Sequence, residues 1–247
     1  MIANHLKNIG KKIPSDSKIV VYVKLKGLID DMSDYETKAR SLLNMIRDLL
    51  RPSEIYVPTF TYGFTKKNFF KVINTPSEVG RFSEEIRNIF NSKRYRTLDP
   101  IFSVVETEKG SFGSKIFNDN AFGPSSIWEQ LNHKPHYIVN INLNSPITST
   151  ELHHLEYKIK VPYRYTKNIK GEVVGWDNIK HEFDYRYYVR DLELNPEWSR
   201  DKLLIACQNH NLVIESGPIK LFEWTNLCNF LQNKLSYDIN YLINNEM

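Results

Sequence analysis

KIVVYVKL, from Lys18 to Leu25, is a β-branched and aromatic run without polar alternation, the pattern of a strand buried on both faces. Gly27 breaks the run. Beyond it, Ser33-x-x-Glu36 reads as a capping box. Ala39, Leu42, Leu43, Ile46, Leu49 and Leu50 then recur at helical spacing until Pro52 stops the helix. EIYVPTF, Glu54 to Phe60, is the next strand. Strand, helix and strand with such short joints imply a parallel, right-handed βαβ unit. The chain opens as an α/β fold.

Working outward, a Lys- and Phe-rich loop leads to a helix expected over 77–90, a strand over 102–106 and the apolar strand HYIVNINL over 136–143. A further helix is expected over 149–160, closed by Val161-Pro162. From Gly171 the texture changes to aromatic, β-type residues at shorter intervals. Residues 171–200 are read as an antiparallel stretch or a long loop, an insertion within one domain covering 1–247. SRDKLLIACQNH is a short helix, LVIESGPIKLFEW gives two short strands about Ser216-Gly217-Pro218, and a helix over 225–235 closes the chain. There is no internal repeat.

The 247 residues carry 33 Lys+Arg against 29 Asp+Glu, a net charge of +4, with 41% hydrophobic and 25% charged residues. Such a balance is that of a soluble globular chain, not a disordered one. No apolar run approaches the roughly 20 residues of a membrane span, and MIANHLKNIGKK has no signal-peptide core. Cys207 and Cys228 make neither a disulfide framework nor a metal spacing, so a cytoplasmic setting is expected. KKNFFK and YRYTKNIK interleave aromatics with cations, but the basic residues are otherwise scattered. Solvated faces with core aromatics between the charges account for them, and nucleic acid is not an expected partner.

SPITSTELHHLEYKIK carries the chemistry. Thr148-x-x-Glu151 reads as a capping box, with Leu152, Leu155 and Ile159 as the buried stripe. At about 100° per residue, Ser149, His153 and Glu156 share one flank and His154 falls on the other. A histidine with a carboxylate one turn away suits a general base whose tautomer the carboxylate fixes. Asp184 is an alternative partner for His153. Adjacent His153 and His154 point apart, so no metal site is expected.

Six stretches in order resemble one family. VPTFTY (57–62), VGRFSEEIR (79–87), RTLDPIFSV (96–104), AFGPSSIWEQL (121–131), the T-x-L-H-x-x-E run (150–156) and VPYRYTK (161–167) look like the antibiotic N-acetyltransferases. The best-known members are the aminoglycoside 3-N-acetyltransferases. The resemblance covers roughly residues 18 to 170 and then fades. It implies a three-layer α/β fold with a mixed sheet, a decorated C-terminal third with an acceptor-side loop, and acetyl transfer from acetyl-CoA to a sugar amine with both substrates bound. His153 falls on the family's general base and Glu156 on its neighbouring glutamate. Thr59, Thr61, Tyr62, Ser103, Phe122 and Gly123 fall along the CoA cleft. Lys24 and Lys26, standing where the family has a small hydroxyl-rich turn, either pair with CoA phosphates or cover the surface. Tyr62, Glu84, Asp99, Trp128 and Asp184 are expected on the acceptor. Monomer and homodimer both remain open.

The family's H-P-x-H-S pattern reads Asp99-Pro100-Ile101-Phe102-Ser103 here, with both histidines replaced. A degenerate CoA-binding member is therefore one alternative to an enzyme. Electrostatics bears on the acceptor, since polycationic aminoglycosides call for a negative field. This chain is net positive. In its last third, acids such as Asp177, Glu182, Asp191, Glu193 and Glu197 alternate with Arg186, Arg190 and several lysines. That mixture points to a nucleotide-linked amino sugar of cell-surface glycan synthesis as acceptor, with an aminoglycoside as the alternative.

Overall fold

The structure is a computed structural model describing residues 1–28, 34–108, 117–143, 145, 147, 149–194 and 196–244. The opening unit has the expected form. β1 (Lys18–Val23) pairs in parallel with β2 (Glu54–Pro58), across α2 (Tyr35–Leu50). Asp34 caps α2, its side chain accepting the Thr37 amide at 2.7 Å; Ser33 lies outside the described residues. Arg51, in the left-handed region at φ 53°, and then Pro52 end the helix.

The larger sheet has six strands in the order β4-β2-β1-β5-β9-β8, with β4 (Val104–Glu106), β5 (His136–Ile141), β8 (Val213–Ser216) and β9 (Ile219–Glu223) joining the opening pair. β1 and β5 run parallel, whereas β4, β9 and β8 add antiparallel at the two edges, giving a mixed sheet. Alternate side chains feed two cores. Ile19, Val21, Val57, Val139 and Leu221 face the layer of α1 (Ile2–Gly10), α2 and α4 (Arg81–Phe90). Val20, Tyr22, Tyr56, Ile138 and Phe222 face α5 (Ile127–Asn132), α6 (Glu151–Ile159) and α8 (Trp224–Tyr237). A sheet covered on both sides explains why KIVVYVKL shows no polar alternation.

A second, three-stranded sheet is built from β3 (Phe69–Lys71), reached through the one-turn α3 (Phe64–Lys67), and the long antiparallel pair β6 (Arg164–Val174) and β7 (Lys180–Arg190). The stretch from Gly171 is thus half of a hairpin that begins earlier, at Arg164. α7 (Arg200–Asn209) follows it. Several boundaries move inward from expectation: β1 ends at Val23, β2 at Pro58 and β5 at Ile141, β4 starts at Val104, and two helices start later. α4 starts at Arg81, not 77, because Gly80 holds φ +110°, a value closed to a helical side chain. α6 starts at Glu151, after Thr150; the expected cap Thr148 lies outside the described residues. Among those residues no helix is long and apolar enough to cross a membrane.

Candidate active site

α6 enters from the C-terminal ends of β1 and β5, and its first turn is anchored from below. The Tyr22 hydroxyl accepts the Thr150 amide at 2.9 Å and donates to Glu151 at 3.1 Å. Ser149 Oγ donates to the same Glu151 oxygen at 2.7 Å, and buried His136 lies 3.6 Å from the other. Burial raises the Glu151 carboxyl, but nearby His136 and the bond from Ser149 outweigh it and hold the carboxyl below the usual range. An apolar strand residue at position 22 could not satisfy that helix start; a tyrosine does so from inside the core.

On this base the helix presents His153 and His154 in opposite directions. His154 is buried, with Nε2 2.7 Å from Glu129 on α5. His153 faces open space with 31% of its side chain exposed, and its Nδ1 lies 2.9 Å from Glu156 Oε2. Glu156 is fully buried and receives Tyr163 Oη at 3.1 Å on its other oxygen, with Arg164 Nε 2.8 Å from Oε2. Arg164 Nη2 also approaches His153 Nδ1 at 2.8 Å. An arginine always carries its protons, so Nδ1 cannot both donate to Glu156 and accept from Arg164. The ion pair with Glu156 already satisfies Arg164. The tautomer that suits the carboxylate has the proton on Nδ1 and leaves Nε2 as a lone pair. Burial and the charge of Arg164 push the imidazole's pKa below its ordinary value, against the pull of Glu156, and Arg190 lowers it further.

Two cavities meet at this ring. The narrower, 220 Å³, runs over the ends of β1 and β2 to the start of α6, bounded by Val21, Pro58, Phe60, Val79, Ile147 and Thr150 among others. The wider, 450 Å³, is walled by Phe102, Phe122, Tyr187 and Tyr188 with Arg164, Arg190 and Glu197. His153, Tyr62, Trp198 and Arg200 border both. Trp198 packs on His153 with ring centroids 4.8 Å apart.

The expected site residues divide sharply. His153, Glu156, Tyr62 and Phe122 come together here. Thr59, Thr61 and Ser103 do not reach either cavity: they are fully buried. Thr59 and Ser103 bond each other and Arg96, which donates to Ser103 Oγ at 3.0 Å and to the Thr59 carbonyl at 2.8 Å, while Thr61 Oγ1 donates to the Pro100 carbonyl. Burial pulls this arginine down to about 9, with Arg87 adding to the effect. Of the three hydroxyls only that of Ser103 meets the buried cation; those of Thr59 and Thr61 bond Ser103 and the Pro100 carbonyl. Gly123 lies in the turn before α5, where a Cβ would meet Asn120 at 2.8 Å, and Trp128 is buried beneath Phe60 at 5.9 Å between centroids. Lys24 and Lys26 are exposed beyond the end of β1 and border neither cavity; their carbonyls each accept from Asn142 at 3.0 Å.

Glu84 is held in a fork by Arg87 at 2.7 and 2.8 Å and accepts the Ser77 amide at 2.7 Å. Its desolvation is outweighed by those bonds, so its carboxyl titrates below the usual range. Asp99 is buried, accepting the Ile101 and Phe102 amides at 2.9 and 2.6 Å, Tyr185 Oη at 2.8 Å and Asn118 at 2.6 Å. Burial drives its carboxyl up to about 6. Phe102, the other departure in that motif, does line the wider cavity. Asp184 stands on β7 in a separate surface groove with Lys67 and Glu182, so Glu156 and not Asp184 is the carboxylate at His153.

Sequence reasoning passed over Arg164, Tyr187, Arg190, Trp198, Arg200 and the anchor Tyr22. Arg164 lay inside VPYRYTK, and its signal was available: an arginine eleven residues from His153, next to a tyrosine, in a stretch already singled out. Among the described residues no three His, Cys, Asp or Glu side chains gather to hold a metal ion.

No protein-family model and no curated protein matches the chain. Solved structures do. Aminoglycoside acetyltransferase AAC(3)-IIb superposes with a TM-score of 0.73 at 14% identity, over 96% of this chain and 97% of that one. YokD from Bacillus subtilis gives 0.66 at 15% identity, over 94% and 98%. Sisomicin-bound AAC-VIa gives 0.67 at 12% identity, over 94% and 98%. The chain has the aminoglycoside acetyltransferase fold over nearly its whole length.

Proposed function

We propose that this protein is a CoA-dependent N-acetyltransferase that transfers acetyl directly to the amine of an amino-sugar acceptor, with His153 as general base and Glu156 fixing its tautomer. The observation that carries the reading is the place of His153 at the seam of two cavities, its Nδ1 against a buried carboxylate. The narrower, mainly apolar cavity suits the pantetheine arm and thioester of acetyl-CoA, which supplies the activated acetyl group. The wider one takes the acceptor. Nε2 accepts the amine proton as nitrogen bonds to the acyl carbon and the carbon–sulfur bond breaks; the proton then leaves with the thiol. A lowered pKa keeps the imidazole neutral, and so basic, at pH 7. The start of α6, bordering the narrower cavity through Ser149 and Thr150, favours the negative charge that develops on the thioester oxygen. Tyr62 borders both sides and shapes the passage between them.

Of the two acceptors weighed from the sequence, the fold comparisons favour the aminoglycoside over the nucleotide-linked sugar, because none of these relatives is named for a nucleotide-linked substrate. Phe102, standing in the wall where the family pattern has a histidine, supports a second reading as a CoA-binding protein without turnover. Thiol release from acetyl-CoA with a panel of amines separates the two. Turnover that falls at least about 100-fold in His153→Asn, with an unchanged unfolding midpoint, is the expected result. Undiminished turnover in that variant would remove His153 from the mechanism, and acetyl-CoA binding without turnover would favour the second reading.

A further inference from the structure

The charges around the wider cavity do not balance. Three arginines line it, Arg164, Arg190 and Arg200, against the single carboxylate of Glu197. Arg164 is neutralised by Glu156 at 2.8 Å. Arg190 is its direct cross-strand partner in the β6/β7 register, and like charges placed opposite one another destabilise an antiparallel pair. Among the described residues Arg190 donates to the Pro196 carbonyl at 3.3 Å, and Arg200 donates to Ser145 Oγ at 3.0 Å and lies 5.9 Å from the Trp198 ring centroid. Among the described residues neither has a carboxylate within ion-pair distance. Arg200 is also the first residue of α7, where the helix adds its own partial positive charge. Two exposed guanidinium groups therefore border the space in front of His153 with no carboxylate paired to them among the described residues.

We propose that the acceptor is an amine that also carries a carboxylate or phosphate, its acidic group held by Arg190 and Arg200 and its amine directed to His153. This rests on the acetyltransferase reading above and departs from the aminoglycoside that the fold comparisons favour, because the acceptor meets this chain's own cavity charges and not those of its structural neighbours. Guanidinium forks match the oxygens of either acid in a bidentate geometry, and Glu197 is left to receive the ammonium as it enters. A polycation would bring several ammonium groups against two arginines with one carboxylate to meet them. Arg190 borders the wider cavity alone, so its role separates acceptor recognition from any contact with CoA phosphates; Arg200 borders both.

The test measures thiol release at saturating acetyl-CoA with four acceptors: glucosamine 6-phosphate, muramic acid, glucosamine and kanamycin. Calorimetric binding of the same compounds at two salt concentrations accompanies it. The expected result is a kcat/KM for at least one acidic sugar about tenfold or more above that of glucosamine. Arg190→Gln should abolish that preference by raising the acidic acceptor's KM while the KM for acetyl-CoA stays unchanged. Phosphate and carboxylate recognition are told apart by which acidic sugar leads. A preference for glucosamine or kanamycin, or an Arg190→Gln effect confined to acetyl-CoA, overturns the proposal and leaves the acetyltransferase reading intact. Salt-sensitive binding of an acidic sugar that Arg190→Gln removes, without turnover, keeps acid recognition and removes the transfer. Neither binding nor turnover overturns both.

Discussion

Replacing Asp99 by asparagine isolates the energetic role of the residue at which the motif departs most from its family. In the unfolded chain the carboxyl titrates near 3.8, and burial raises it to about 6 in the fold. A raised carboxyl binds its proton more tightly when folded, so its contribution to stability is complete below about 3.8 and is lost as the pH rises through about 6. At about 1.36 kcal/mol per pH unit, the whole loss is about 3 kcal/mol, of which roughly half falls between pH 5 and pH 7.5. Asparagine keeps an oxygen for the Ile101 and Phe102 amides and for Tyr185, while Asn118 must turn its own amide and give up the Asn120 amide that it accepts at 3.2 Å. It has no proton to lose. Urea unfolding of both proteins at the two pH values should show Asp99→Asn gaining on the order of 1 kcal/mol on the parent from pH 5 to 7.5, whatever constant offset the exchange introduces. Thermal midpoints should diverge by a few degrees over the same range. A pH-independent difference refutes the burial argument. A large loss of turnover with that pH trend absent would instead place the Asp99 carboxylate in the chemistry.

Glu156→Gln leaves the Arg164 guanidinium, 6% exposed, without its carboxylate, and should cost about 3–5 kcal/mol in denaturant unfolding; a cost well under that range would mean Arg164 is held elsewhere. Arg164→Gln removes a charge that depresses His153. Because the neutral imidazole is the active form, the acid limb of the kcat/KM profile should move to higher pH, and an unmoved limb would show that another group sets it. Tyr22→Phe orphans the Thr150 amide and one Glu151 contact. About 1–3 kcal/mol of destabilisation is expected, with faster hydrogen exchange at the start of α6, and unaltered exchange there would contradict the anchoring role.

The parts of this molecule that were legible in sequence are those where one element reports on itself. KIVVYVKL is apolar throughout because both faces of β1 are covered, and the spacing of His153 and Glu156 fixes their flank of α6 whatever surrounds it. α1 was missed because its helical signal rests on little more than Leu6 and Ile9, a pattern too short to stand out before it docks. The start of β6 was missed because residues 165–168 are exposed, so no alternation marks them. The polar residues were harder for a different reason. Thr59, Thr61, Ser103 and Asp99 sit at strand ends with the chemistry of ligand contacts, and a buried hydroxyl or carboxyl looks the same in sequence whether a ligand or the protein's own backbone and side chains satisfy it. The cavity has the converse problem. Arg190, Trp198 and Arg200 lie 37 or more residues beyond His153 in a stretch where acids and bases alternate, and only the closure of β7 and α7 over α6 selects which charges face inward. Net charge averages over that selection. The sequence is weakly basic as a whole, but the proposed acid recognition rests on two arginines that, among the described residues, have no carboxylate partner at one place, and the fold creates that place.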